Sequence, residues 1–223
     1  MNLIVSSAPH IRSPRTTKHI MLDVLIALLP ATAAGIVFFG WVAAVTIVLA
    51  MFTAVLTEFV WYIIEHKIWR NGKETLANFA AQFDFTSLVT GLLLALCCPA
   101  SLEALYMPVL GAIFAIAVVK MLFGGTGKNI VNPAIAGRVF LFISFMAMVS
   151  YPEANFAPLL SYTDGALSTG ATQLGNFLKG TATISDLDLF LGTGVAGCIG
   201  ETCKLALLAG YVYLCVRGVI KWY

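Results

Sequence analysis

No charged residue interrupts the stretch VLIALLPATAAGIVFFGWVAAVTIVLAMFTAVLT, residues 24–57. One bilayer crossing takes about 20 apolar residues as a helix, so this run is too long for a single crossing. Gly40 lies near its middle and marks a turn, which predicts a helical hairpin with spans over 22–39 and 41–64. The chain is 60% hydrophobic and 11% charged, whereas soluble domains carry about 25% charged residues. The sequence therefore predicts an integral membrane protein.

Four more apolar segments follow this hairpin. They cover residues 85–102, 104–119, about 134–150, and a glycine-broken stretch from Leu189 that becomes helical over 201–217. The predicted fold class is all-α, a polytopic membrane protein with about six transmembrane helices. We divide it into an N-terminal segment 1–21, a membrane domain of about five spans 22–150, a polar loop 151–188, and a sixth span with the chain end 189–223.

The basic residues predict how the chain is oriented. Short loops rich in Lys and Arg stay in the cytoplasm, so we expect a cytoplasmic N-terminus. The loop 151–188 then lies outside. A formal net charge of +2 with no basic run excludes nucleic acid as a partner and leaves the lipid membrane. Five cysteines without C-x-x-C spacing predict no metal site.

One tetrapeptide in the exterior loop carries a chemical signal. Thr169-Gly170-Ala171-Thr172 lies among small residues that leave its hydroxyls accessible, and by composition alone it is an ordinary surface loop. It resembles, however, the S/T-G-A-T signature in which flavin mononucleotide (FMN) is joined by a phosphoester to the last threonine.

Three further segments carry the same resemblance. Residues 124–134, GGTGKNIVNPA, resemble the GKN-x-x-NPA segment of the same proteins. Residues 6–10 and 20–30 resemble their first helix, and residues 199–202, IGET, resemble a segment late in their chains. The chain is similar to the family of the D subunit of the Rnf complex and the B subunit of the sodium-pumping NADH:quinone reductase, and closer to the Rnf side. Family members usually contain a second set of spans, so the resemblance implies the first part of an inverted-repeat, transporter-like bundle, shortened at its C-terminal half.

The resemblance also implies a location, the inner membrane of a bacterium or archaeon, and a function. The chain would be a flavin-carrying membrane subunit of an ion-translocating ferredoxin:NAD oxidoreductase, inactive in isolation, with Thr172 bearing covalent FMN and Asp164, Thr169 and Gly170 lining the flavin site. No residue is assigned as catalytic, because the flavin carries the redox chemistry. Implied partners are the other Rnf subunits, including a second flavin-bearing subunit, and a flavin transferase. The choice between sodium and protons, and a further riboflavin, stay open.

Two acidic residues within predicted spans are candidates for an ion or proton site, because ionisable groups are costly there. Glu58 is near the inner end of its span, where water or a basic partner could satisfy it; Glu201 follows four glycines in a broken helix, where Lys204 could pair with it. Asn129 and Asn132 either cap the fifth span or line a pocket. The alternative functions are a channel or secondary transporter for a small polar solute, and a membrane scaffold.

Overall fold

The computed structural model describes residues 16–65, 76–101, 105–152, 177–178 and 185–223. These residues form helices and no β-strand, which confirms the all-α fold class. The proposed flavin-site residues Asp164, Thr169, Gly170 and Thr172 lie outside the described residues.

The helices are, in chain order, α1 (Thr17–Phe39), α2 (Trp41–Ile64), α3 (Leu76–Gln82), α4 (Thr86–Leu96), α5 (Tyr106–Ile113, continued as a π-helix over Phe114–Met121), α6 (Pro133–Ser144), α7 (Asp186–Leu191) and α8 (Lys204–Val216). A 3₁₀ turn, Met146–Val149, follows α6.

The predicted hairpin is confirmed in α1 and α2. Both helices are long and apolar enough to cross a membrane. Gly40 joins them with φ 69° and ψ −150°. Only glycine adopts such a backbone conformation without steric cost, because it has no Cβ atom.

The other four apolar helices, α4, α5, α6 and α8, are shorter than a full bilayer crossing. Helix α4 ends at Leu96 and not at residue 102, since Pro99 lacks an N–H and disfavours helical geometry at Cys98. Helix α8 begins at Lys204 and not at residue 201. Hydropathy therefore located these elements, but it overestimated the lengths of α4, α6 and α8.

Small residues let the helices approach closely. A Cβ atom on Gly91 of α4 would lie 2.9 Å from the Ala50 carbonyl oxygen of α2, and one on Gly137 of α6 would lie 3.0 Å from the Gly111 carbonyl oxygen of α5. In lipid the hydrophobic effect does not drive helices together, because the lipid tails are themselves apolar. Helices associate there through close packing, which small residues permit. These glycines therefore fix the spacing of the bundle.

Two non-helical segments cross between the helices, one after α4 and one before α8. The Ile199 amide donates to the Cys98 carbonyl at 3.2 Å, and the Gly200 amide donates to the Leu96 carbonyl at 2.8 Å. Both Cys98 and Ile199 are buried. Backbone outside a helix persists in a membrane protein only when such groups are satisfied by protein or by a lined cavity, so each segment supports the other.

Candidate functional site

The sequence candidate Glu58 lies on α2 and forms a buried ion pair. Its Oε1 is 2.6 Å from Nζ of Lys120, and the two side chains are 13% and 2% exposed. The basic partner foreseen for Glu58 is therefore present, but it comes from a helix 62 positions further along the chain.

Two hydroxyl groups complete the surroundings of this pair. Ser87 Oγ donates to Glu58 Oε2 and accepts a hydrogen bond from Lys120 Nζ at 2.9 Å. Thr86 Oγ1 accepts from the same Nζ at 2.6 Å. A lysine ammonium has three donors, and all three are used here. Breaking a buried pair of this kind is costly because it leaves an uncompensated charge.

The first turn of α4 holds the two hydroxyls in place. Asp84 precedes it and accepts from the Thr86 amide at 3.0 Å, from Thr86 Oγ1, and from Thr126 Oγ1 at 2.8 Å. Phe85, between them, has φ 65°, a left-handed conformation that is strained for a bulky residue and turns the chain into the helix. Half-burial favours a higher pKa for Asp84, but hydrogen bonds from Thr86 and Thr126 outweigh it, and the net pKa is lowered.

Lys120 lies on the π-helical turn Phe114–Met121 that continues α5. Such turns are rare in proteins overall, but those that occur are often found at functional sites. The extra residue per turn changes the direction in which a side chain points. In the sequence Lys120 directly follows the apolar run 104–119. In the structure the helix continues to Met121, and the ammonium is buried against α2 and α4.

A cavity of about 370 Å³ lies beside the pair. Three carboxylates contribute to its wall, those of Glu58, Glu65 and Asp84. The remaining wall includes the aromatic rings of Tyr62, Phe79 and Phe83. Among the described residues that line the cavity there is no lysine or arginine, so this part of the wall is negative and lies next to one ammonium.

Glu201, the second candidate, lies in the non-helical segment before α8, which bonds to the end of α4 and to the residues after it. Its Oε1 accepts from the Cys198 amide at 3.0 Å, so the carboxylate caps the broken backbone. Lys204 donates to the Leu189 carbonyl at 2.7 Å, and the local pair with Glu201 is not formed. The side chain of Glu201 is exposed. Glu201 and Glu58 thus occupy different surroundings, a helix break and an ion-pair cluster.

The two asparagines behave differently. Asn132 Oδ1 accepts from the Ala134 amide at 3.0 Å, with Pro133 as the first helical residue, which confirms that Asn132 caps α6. Asn129 Oδ1 is buried and has no hydrogen-bond partner in the part of the chain that the structure describes.

One basic residue near the crossing was not foreseen as a site element. Arg138 is on α6, and its Nη2 lies 3.5 Å from Sγ of the buried Cys198. The sequence does contain a signal for this residue, because a guanidinium within an apolar membrane segment is a candidate for a functional site. It became informative only when the crossing segment brought Cys198 to it.

The fold and the buried ionisable cluster define an all-helical membrane protein. Residues 4–223 match the model of the NQR2, RnfD, RnfE family, and the chain belongs to this family.

Several curated relatives are similar along the whole chain. The D subunit of the Na(+)-translocating ferredoxin:NAD(+) oxidoreductase complex of Acetobacterium woodii is 42% identical, with 100% of this chain and 65% of the relative covered. The D subunit of the proton-translocating complex of Clostridium ljungdahlii is 34% identical over 98% of this chain and 63% of the relative. The D subunit of the ion-translocating oxidoreductase complex of Salmonella typhimurium is 34% identical, covering 98% and 68%. The chain thus spans about two thirds of the length of these relatives.

Proposed function

We propose that this chain acts as the D subunit of an Rnf-type complex that couples ferredoxin:NAD oxidoreduction to ion translocation. The observation that carries the proposal is the 42% identity, over the entire chain, to a relative bearing that name. The buried Glu58–Lys120 pair supports it, because ionisable groups kept inside a membrane protein are typical of ion and proton pathways. Activity would belong to the whole complex, with the other subunits as partners.

The flavin is the second part of the proposal. Thr172 would carry FMN as a phosphoester to its Oγ1, installed by a flavin transferase, with Asp164, Thr169 and Gly170 beside it. When bound, the flavin would accept and pass on one or two electrons, and the protein would supply its position. It would exchange electrons with a second flavin-bearing subunit.

The orientation and the ion pathway form the third part. The chain would cross the inner membrane several times, with the N-terminus in the cytoplasm and loop 151–188 outside, as the loop charges favour. Glu58 and Glu201 would serve the moving ion or proton. Relatives are named both for sodium and for protons, so the family name is compatible with either.

Mass spectrometry of the purified chain tests the flavin assignment. The chain, made together with a competent flavin transferase, should be heavier by one FMN less water, with the added mass mapped to Thr172. Thr172→Ala should remove the mass and the in-gel fluorescence, and Thr181→Ala, in the same loop, should keep both. An adduct that persists in Thr172→Ala, or a chain that is never modified, would contradict the assignment.

Ion uptake into inverted membrane vesicles tests the translocation part. Uptake should depend on reduced ferredoxin and NAD, and Glu58→Gln should lower it, with Asp186→Asn as the control in the exterior loop. Glu201→Gln is informative because an amide oxygen still accepts from the Cys198 amide, so only the charge is lost. Solute flux without any electron donor would instead favour the channel or transporter, for which the crossing non-helical segments are the supporting feature.

A further inference from the structure

Three of the five cysteines lie where the two non-helical segments cross. Cys97 and Cys98 directly follow α4, and Cys198 lies in the segment before α8. The Ile199 amide donates to the Cys98 carbonyl at 3.2 Å, so the two segments are in direct contact. Cys198 is close enough to both other cysteines to interact electrostatically with them. The fold therefore gathers three free thiols that come from distant parts of the sequence.

The guanidinium of Arg138, on α6, connects two of these thiols. Its Nη2 lies 3.5 Å from Sγ of Cys198, and the Cys97 side chain is within hydrogen-bond reach of the same guanidinium. Cys97 is partly exposed, whereas Cys98 and Cys198 are buried. A reagent therefore reaches Cys97 first, and Cys198 is the buried thiol that shares Arg138 with it. An accessible thiol with a second thiol nearby is the arrangement of redox-sensitive cysteine pairs.

We propose that Cys97 and Cys198 form a redox-active pair, which small disulfides oxidise to an intramolecular disulfide. In the first step the Cys97 sulfur attacks the reagent RSSR, a mixed disulfide forms, and one RSH leaves with the proton of Cys97. In the second step the Cys198 sulfur attacks the Cys97 sulfur, and the second RSH leaves with the proton of Cys198. The two protein thiols lose two electrons, and the reagent gains them.

Arg138 is the positioning residue of this pair. A thiolate must form at Cys97 in the first step and at Cys198 in the second, because the thiolate is the attacking species. A cation beside a sulfur atom stabilises its thiolate electrostatically. The guanidinium contacts both side chains, so it lies next to the negative charge in each step.

The disulfide would change how firmly the crossing segments are joined. It adds a covalent link to a contact that backbone hydrogen bonds already make. The segment before α8 is also bonded to the start of loop 151–188, because the Gly197 amide donates to the Pro152 carbonyl at 3.3 Å. Oxidation therefore restricts the end of α4, this segment and the beginning of the loop together.

Dithiodipyridine, a small uncharged disulfide, tests the pair on the full chain in lipid nanodiscs. With one equivalent of reagent the chain should lose two hydrogens in intact mass and retain no pyridyl group. After unfolding, three of its five cysteines should still react with a maleimide. Peptide mapping should find Cys97 joined to Cys198.

Serine variants separate this pair from the other thiols. Cys97→Ser and Cys198→Ser should each abolish the disulfide, and Cys198→Ser should keep a pyridyl group on Cys97. Cys98→Ser, at the same crossing, and Cys215→Ser, near the end of α8, are the matched controls and should form the disulfide as the parent chain does.

The role of Arg138 is measured by the rate of the reaction. Arg138→Gln should slow the release of thiopyridone roughly tenfold, because the thiolate loses its cationic neighbour. Arg138→Lys keeps the charge and should restore part of the rate. An unchanged rate in Arg138→Gln would refute the positioning role.

Three results would overturn the pair itself. They are a parent chain that keeps all five thiols, a disulfide that maps to Cys98, and a Cys98→Ser chain that no longer forms the bond. Circular dichroism checks that each variant is helical, and the serine variants still decide the question if Arg138→Gln does not fold. The assay needs no flavin, electron donor or partner subunit, so its outcome is independent of the proposed function.

Discussion

The Glu58–Lys120 pair yields a quantitative prediction for stability, because neither partner is freely solvated. The Lys120 side chain is 2% exposed, whereas the Glu58 side chain is 13% exposed and contributes to the cavity wall. Removing one partner of a buried pair costs roughly 3–5 kcal/mol. Glu58→Gln leaves the less exposed ammonium without its carboxylate partner, so its cost in unfolding free energy should lie near the upper end of this range. Lys120→Met leaves a carboxylate that cavity water can reach, so its cost should lie near the lower end.

The double variant should behave differently from the sum of its parts. Glu58→Gln with Lys120→Met leaves no buried charge, and neutral replacement of a buried pair is often close to neutral in stability. We expect the double variant to lie within about 2 kcal/mol of the parent chain, which implies a coupling of several kcal/mol between the two sites.

Reversible denaturant unfolding of the full chain in mixed micelles, followed by circular dichroism, tests this prediction. It gives the free energy of unfolding of the parent chain, the two single variants and the double variant, which together form a double-mutant cycle. Ala209→Val, on an exposed face of α8, serves as a control for general effects of substitution. If the two single effects simply add in the double variant, the buried pair does not stabilise the protein in the way that its geometry predicts.

Three smaller predictions concern packing, capping and pH. Gly210→Ala would place a Cβ atom against the Ala27 carbonyl oxygen and should reduce the free energy of unfolding by about 1–3 kcal/mol, measured against Ala209→Val. Asn132→Ala removes the cap of α6 and should cost about 1 kcal/mol in the same assay, whereas Asn132→Asp keeps the acceptor and most of the stability. The lowered pKa of Asp84 means that its stabilising contribution is complete above the pKa of the unfolded chain and is lost as the pH falls through the folded value. Asp84→Asn should therefore lose less stability than the parent chain between neutral and acidic pH in unfolding titrations; an unchanged acid loss would contradict this.

Local patterns predicted those parts of the fold that depend on neighbouring residues. The hairpin of α1 and α2 follows from an uncharged run with a glycine at its centre, and the cap of α6 follows from an asparagine directly before a proline. Both signals lie in one continuous stretch of the chain, so the sequence contains the required information.

Local patterns failed where distant backbone determined the outcome. Glu201 and Lys204 have a spacing that suits a helical pair, yet the helix begins at Lys204, so the two side chains do not share a helical face. The segment before α8 is not helical because its amides at Ile199 and Gly200 bond to carbonyls at the end of α4. Hydropathy registers apolar character but contains no information about these hydrogen bonds.

The amino-acid sequence by itself determined an all-helical membrane protein, its first hairpin, its family, and the two acidic candidates within the spans. Only the tertiary structure decided that Glu58 pairs with Lys120, that Ser87 and Thr86 accept the other hydrogen bonds of Lys120, and that Glu201 caps a broken backbone. The reason is physical: hydropathy and capping act between residues near in the chain, whereas an ion pair forms between groups 62 positions apart only after close packing of α2, α4 and α5 brings them together.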